Sequence, residues 1–496
     1  MLLASIFAMA QKNEDAAKYV ETITGKALKE KLTIVASAEF EGRETATPGQ
    51  KKAAAYIEAQ FKKFGLKPGN GDSYQQIYPV YQEDLLGAKL LVNGASFQLD
   101  KDFTFTVQAT PSGTTTVNDI VFVGYGMPED FAMDVKGKMV MVLDGAPADY
   151  KPATTTPPNP RQGGPTSAFA KVNTARTKGA AGIILVVNTF PRKVTTPSKG
   201  NMYLTKPTSS FAVVSVSEAI ASALLGRTAT LSTEQLKAVN KGIYYAETKL
   251  MVDKVTNNLE SSNVIAVLEG SDKKEEYVVL SSHYDHLGKR DTVIYYGADD
   301  DGSGTTSVLQ MAEAFAKAKK KGNGPRRTIV FLTVSGEEKG LWGSQYYSEH
   351  PLFSLANTSV NLNTDMVGRV GAEYKGDTSN YVYVIGEDKL SSDLMQITDS
   401  INVTAKMELD RRYNDLSDPN RFYYRSDHYN FAKVGVPIIF YFDGVHADYH
   451  KPTDTVEKIN FSLMEKRVRL IFNTAWVMAN RDNMMKRDKP LNIPAR

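Results

Sequence analysis

From Asn263 onward, short β-type runs alternate with helical patterns, and this rhythm restricts the fold more than any other feature of the chain. Runs suited to strands fall at 263–268, 276–282, 327–334, 359–364, 381–385 and 436–442. Helical periodicity falls at 303–319, 341–349, 391–402 and 460–480. Strands separated by helices must cross over to pair, so the pattern predicts an α/β three-layer sandwich with a mixed, largely parallel central sheet. In sheets of this kind a site opens beyond the carboxyl ends of the strands.

The first half of the chain reads differently. Thr47-Pro-Gly-Gln50 starts a helix, with Thr47 as cap, Pro48 at the first turn and Gln50 placed to close a capping box. Ala53, Tyr56, Ile57, Phe61 and Phe64 follow at helical spacing, and Gly65 ends the run. From about Val117 the texture changes to the short runs 120–123, 139–143 and 183–187, with one helical pattern at 168–178. The Pro-, Thr- and Gly-rich stretches Lys151–Pro165 and Thr195–Ser209 read as loops. Residues 115–250 therefore form a smaller β-rich insert between 11–114 and 251–496. The first ten residues, Met1 to Ala10, are apolar and end in Ala-Met-Ala before Gln11. They resemble the core and cleavage site of an export signal without its basic start, which predicts a periplasmic or secreted protein.

Composition removes several chemistries. The 496 residues contain no cysteine, which excludes disulfides, thiolate metal ligands and a thiol nucleophile. Lys plus Arg is 59 against 56 for Asp plus Glu, so nothing argues for nucleic acid or a polybasic membrane surface. No apolar run reaches the ~18 residues of a membrane span. All six histidines lie between His283 and His450, so the insert supplies no histidine and has no carboxylate cluster.

The residues just beyond the strand runs carry the chemistry. Tyr277–Ser282 leads to His283-Tyr-Asp285, Thr328–Val334 leads to Glu337-Glu338, and Val360–Thr364 leads to Asp365. Pro437–Phe442 leads through a loop to His446 and His450, and Asp299-Asp300-Asp301 precedes a helix. Singly, each has an ordinary reading: a core histidine, a solvated turn, a strand-end cap. Together they gather imidazoles and carboxylates at one sheet edge, where like charges need cations among them. Imidazole plus carboxylate suits zinc better than magnesium or calcium. The supply suffices for two ions sharing one carboxylate, with one glutamate of the Glu337-Glu338 pair on metal and its neighbour acting as general base.

The ordered set His283-x-Asp285, Ala298-Asp-Asp-Asp-Gly-Ser-Gly304, Glu337-Glu338, Asp365 and Tyr449-His450-x-x-x-Asp454 resembles the M28 family of zinc metallopeptidases. Glu41-Gly-Arg43, Gly65-Leu-Lys-Pro68 and Ser426-Asp427-His428 are similar to further family segments. Asp134-Val-Lys-Gly-Lys138 and Lys178-Gly-Ala-Ala-Gly182 resemble a protease-associated (PA) domain. The resemblance implies two zinc ions, with His283 and Asp365 on one, Glu338 and His450 on the other, and Asp300 bridging. It implies Glu337 as general base, Asp285 fixing the His283 ring, Tyr449 at the developing oxyanion, and a cis peptide between Asp300 and Asp301.

Peptides are the implied substrates, and an aminopeptidase is the leading reading. A carboxypeptidase would need a cationic clamp, for which Arg411, Arg412, Arg421 and Arg425 are candidates. A one-zinc glutaminyl cyclase and a non-catalytic binding protein fit the complete ligand set and Glu337 less well. Of the other histidines, His286 in a loop points away from the site, His350 is at the surface, His428 is structural, and His446 lies in a loop and forms no helical pair with His450.

Overall fold

The computed structural model describes residues 16, 18–151, 164 and 166–491; the leader-like residues 1–10 and most of the 151–165 loop lie outside them. The chain divides into two compact units, one made of residues up to Pro79 and from Glu260 onward, the other of Val80–Leu259.

The first unit carries the alternating pattern. Its strands are the long β1 (Gly242–Leu268, entering at its carboxyl end), β2 (Lys273–His283), β3 (Arg327–Val334), β4 (Thr358–Thr364), β5 (Tyr381–Ile385), β6 (Glu408–Asp410) and β7 (Ile438–Phe442). They line up in the order β6-β5-β7-β4-β2-β3-β1. The central four, β3, β2, β4 and β7, are mutually parallel, while β1 and β5 run antiparallel to their neighbours. β2, β3, β4 and β7 are buried along their whole carboxyl halves, as strands covered on both faces must be. Helices α1 (Gly25–Val35), α2 (Pro48–Phe64), α3 (Gly304–Lys320), α4 (Trp342–Glu349), α5 (Leu394–Ala405) and α6 (Phe461–Asn480) accompany the sheet. α3 and α6 pack on β2, β3 and β4, and α4 packs on the short helix His428–Lys433. The fold class agrees with the sequence reading. The short edge strand β6, with no apolar alternation, was not foreseen.

Chain order places β3 on one side of β2 and β4 on the other. The crevice at the carboxyl end of β2 is therefore a point where the winding direction reverses, the place where such sheets bind ligands.

The second unit is built on a parallel core of Gly113–Phe122, Met139–Leu143, Gly182–Val186 and Ala212–Val216. The amino-terminal part of β1 and Phe103–Phe105 close it antiparallel. Met139, Met141 and Leu143 enter one apolar cluster while Val140 and Val142 enter another, so the sheet is covered on both sides. The 195–209 stretch, expected as loop, contains the strand Lys199–Tyr203, paired with Tyr81–Asp84. Its half-exposed, non-alternating residues give no periodic signal. No helix among the described residues is long and apolar enough to cross a membrane.

Helix α2 begins and ends as its sequence requires: the Thr47 hydroxyl accepts from Gln50 N and Gly65 adopts a left-handed φ of 80°. Gln50 does not close a capping box. Its side chain turns inward and donates to the buried Tyr284 hydroxyl, which would otherwise lack that partner. Nearby, the fully buried Arg43 donates to four carbonyls: Tyr284 at 2.7 Å and Val35, Tyr296 and Gly297 at 2.8 Å each. Gly42, at φ 70°, lets this segment approach, since a Cβ there would lie 2.4 Å from the carbonyls of Gly288 and Tyr295. Arg43 thus staples the amino-terminal segment to the loop that follows β2. Arg43→Met should cost about 3–5 kcal/mol, because it strands buried carbonyls. Arg43→Lys should recover little, because one ammonium cannot reach all four. Urea denaturation of both variants measures this, and a loss under 1 kcal/mol would contradict the staple.

Candidate metal centre

Each strand delivers its residues to the crevice within a few positions of its end. His283 is the last residue of β2, Asp365 directly follows β4, and Glu337 and Glu338 stand just beyond β3. Asp300 comes from the turn into α3, and Tyr449 and His450 from the loop after β7. Asp301 ties these pieces together: its carboxylate accepts from the backbone amides of His283 (3.2 Å), Gly304 (2.8 Å) and Met366 (3.0 Å). The Asp300–Asp301 peptide is cis. Asp454 accepts from the amides of Asp299 and Asp300 and fixes the other side of the turn.

The distances test whether a metal fits. A tetrahedral ion with ligand bonds of 2.0–2.1 Å separates neighbouring donor atoms by ~3.3 Å. His283 Nε2 lies 3.3 Å from Asp300 Oδ1 and 3.5 Å from Asp365 Oδ1. His450 Nε2 lies 3.1 Å from Asp300 Oδ2 and 3.2 Å from Glu338 Oε2. Two donor sets with tetrahedral-edge spacing therefore share Asp300 through its two oxygens. His283 Nε2 and Asp300 Oδ2 are buried without a hydrogen-bond partner, as atoms reserved for a cation would be. The residues fit zinc.

Other expected residues sit differently. Asp285 was expected to fix the His283 ring, and it meets that ring with its main chain. The ring Nδ1 lies 3.0 Å from the Asp285 backbone carbonyl, and the carboxylate stands 3.7 Å away. That carboxylate accepts from Thr45 Oγ1 and from the Glu337 amide, so it steadies the base-bearing turn. Tyr449 stacks on His450 with centroids 3.9 Å apart, and its hydroxyl accepts from Arg425 at 3.1 Å. His286 does not point away. It is fully buried, and its Nδ1 lies 2.8 Å from Glu338 Oε1. Only its three-residue spacing from His283 hinted at this. His428 is structural: its ring stacks on Phe440, and burial pushes its pKa down to about 3. His446 is in a loop but buried, 3.3 Å from Asp299, and His350 is exposed.

Burial works against ionised groups here, and the neighbours decide the outcome. Burial raises Glu337 well above the usual carboxylate range, with Glu338 and Asp365 adding to it against His283. Burial also opposes ionisation of Asp300, yet His283 and His450 hold it well below that range. Asp427, bonded to Ser344, is pushed up to about 7 by its burial. Met366, Phe422, Phe440, Phe442, Arg425 and Tyr449 line a cleft that reaches Asp300, Glu337 and Asp365.

Fold and site define a class: a doubly wound α/β domain whose reversal-point crevice is furnished for metal. Residues 263–475 match the model of peptidase family M28 and residues 106–224 that of the PA domain, so the chain carries an M28 peptidase domain and a PA domain. A probable leucine aminopeptidase of Arthroderma otae is 28% identical over 233 residues, 46% of this chain and 60% of that protein. A probable zinc metalloprotease of Pyrenophora tritici-repentis is 28% identical over 261 residues, 44% of this chain and 51% of that protein. The chain thus matches little more than half the length of these relatives. An aminopeptidase from Aneurinibacillus sp. strain AM-1 superimposes with a TM-score of 0.56 at 21% identity, covering 97% of this chain and 100% of its own. A zinc aminopeptidase from Bacillus subtilis gives 0.52 at 20%, covering 94% and 99%. At these identities the likeness is one of fold.

Zinc takes neutral imidazole, and here the signs are clear. Burial opposes charge on His450, but the facing carboxylates of Asp300 and Glu338 raise it to about 10, and His283 is raised well above its usual range by Asp365 and Glu337. Both rings are therefore protonated near neutral pH without metal and must lose those protons to bind it. Zinc uptake should release protons, and apparent affinity should keep rising through neutrality toward about pH 10, where His450 loses its proton without help from metal. Calorimetry in buffers of different ionisation enthalpy measures this; binding without proton release would contradict it.

Proposed function

We propose that the protein is a di-zinc aminopeptidase that removes apolar residues from the amino termini of peptides. One observation carries the reading: two donor sets at tetrahedral-edge spacing share the carboxylate of Asp300. Zinc bound there supplies a Lewis acid and a water that ionises near neutral pH.

The chain's own residues do the rest. Glu337 accepts the water proton at its carboxylate and returns it to the leaving amine. Its position is set from behind by Asp285, which accepts from the Glu337 amide at 3.2 Å. Arg425 donates to the Tyr449 oxygen and leaves the phenolic proton free to stabilise an oxyanion. Phe422, Phe440 and Phe442 offer an apolar wall for the first side chain, and the surrounding carboxylates suit an ammonium terminus.

A carboxypeptidase reading has less support. Arg411 is engaged by Glu387 and Asp399, Arg412 by Asp410, and Arg421 lies over Tyr424. Of the four clamp candidates only Arg425 lines the cleft. Leucine p-nitroanilide should be hydrolysed, its N-acetyl derivative should not, and a chelator should abolish turnover. Preference for a blocked amino terminus and a free carboxylate would overturn the assignment.

Two substitutions separate the roles. Glu337→Gln should keep both ions and lower kcat about 10²–10⁴-fold, the usual worth of a general base; near-normal turnover would remove Glu337 from that role. Asp300→Asn should weaken both ions at once, which elemental analysis after dialysis reads directly.

A further inference from the structure

Building on the di-zinc reading, we propose that Asn363 is a positioning residue for the metal ligand Asp365. Its side-chain N–H fixes the Ser426 hydroxyl, which holds Oδ2 of Asp365 and leaves Oδ1 for the metal on the His283 side.

β4 departs from its neighbours in what it buries. Asn361, Asn363 and, one step beyond the strand end, Asp365 alternate in sequence and so belong to one face of the sheet. Both asparagines are fully buried, at places where a parallel sheet covered on both sides asks for valine or leucine. Ser281 of β2 is the register partner of Asn363 and is fully buried too. An amide in such a place costs stability unless its N–H and C=O are both used.

The hydrogen bonds of this row all run one way. Asn361 Nδ2 donates to Ser281 Oγ at 2.8 Å, and Ser281 Oγ donates to Asn363 Oδ1 at 2.7 Å. Asn363 Nδ2 donates to Ser426 Oγ at 2.8 Å, and Ser426 Oγ donates to Asp365 Oδ2 at 2.5 Å. The last member sets the direction, because a metal-binding carboxylate only accepts. Ser426 has one hydroxyl proton, gives it to Asp365, and must accept from Asn363. The Asn363 amide therefore turns its nitrogen to Ser426 and its oxygen to Ser281. The buried atom left without a partner lies at the far end of the row, Asn361 Oδ1. At the near end, Asp365 Oδ1 faces His283 Nε2 at 3.5 Å, on the metal side. A carboxylate whose second oxygen is held this way binds through one oxygen and keeps its orientation as ligands exchange.

The test is zinc retention by the purified full chain against a graded chelator, read by elemental analysis in a double-mutant cycle. Ser426→Ala removes the hydroxyl; Asn363→Leu keeps the volume and removes the amide that aims it. Ser426→Ala should lose one of two ions at about 10–100-fold lower chelator concentration than wild type, and Asn363→Leu at about 10-fold lower, while the other ion stays in both. The double variant should match Ser426→Ala within about 2-fold, because without the hydroxyl Asn363 has nothing to aim. If Asn363→Leu does not fold, Asn363→Ala takes its place with the same expectation. Unchanged retention in the Asn363 variant, equal loss of both ions, or losses that multiply in the double variant would each overturn the positioning role and leave the di-zinc reading standing. A wild-type protein that binds fewer than two ions would overturn both.

Discussion

The crowding of buried carboxylates at the end of β2 sets the terms for everything around it. Asp300 and Asp365 are 3% and 7% exposed, and the charges of Asp365 and Asp300 act on Glu337 and Glu338 respectively. Such groups cannot all be ionised side by side without cations. In the protein alone, His283 and His450 supply part of that charge as imidazolium. The backbone around the cluster is fixed independently: Asp301 gathers three amides, Asp454 two, and Arg43 four carbonyls. The site is thus assembled by contacts to the neutral main chain, and the charges of its ligand residues are left over for metal.

Much of this was legible in the sequence because it is local. A fully buried parallel strand writes itself as a continuous apolar run, and the residue after it falls at the carboxyl edge. His283, Glu337, Glu338 and Asp365 could therefore be placed without any knowledge of contacts. The ordered motif extended the list to Asp300 and His450, which the structure brings within 3.5 Å of the others.

What stayed hidden depends on loops and on partners far away in the chain. The 284–297 segment turns back on itself, and its course is set by Arg43, some 240 positions earlier. Without that course His286 reads as a loop residue pointing outward, and Asp285 reads as the partner of His283 alone, with no sign that its carboxylate also serves Thr45 and the Glu337 amide. Gln50 shows the same limit, because a capping box is a local pattern and the buried Tyr284 hydroxyl that claims its side chain is not. The edge strands Glu408–Asp410 and Lys199–Tyr203 lack apolar alternation, so pairing alone reveals them.

The Arg43 contacts also have a consequence for biosynthesis. The peptidase unit is discontinuous, and Arg43 is synthesised long before Tyr284, Tyr296 and Gly297 exist. At ribosomal rates of about 5–20 residues per second the delay is roughly 10–50 s. During that time α1 and α2 have emerged with their apolar faces uncovered, while Val80–Leu259 is complete enough to fold as a unit of its own. The first eighty residues are therefore the part of the nascent chain that a chaperone would shield and a protease would find first.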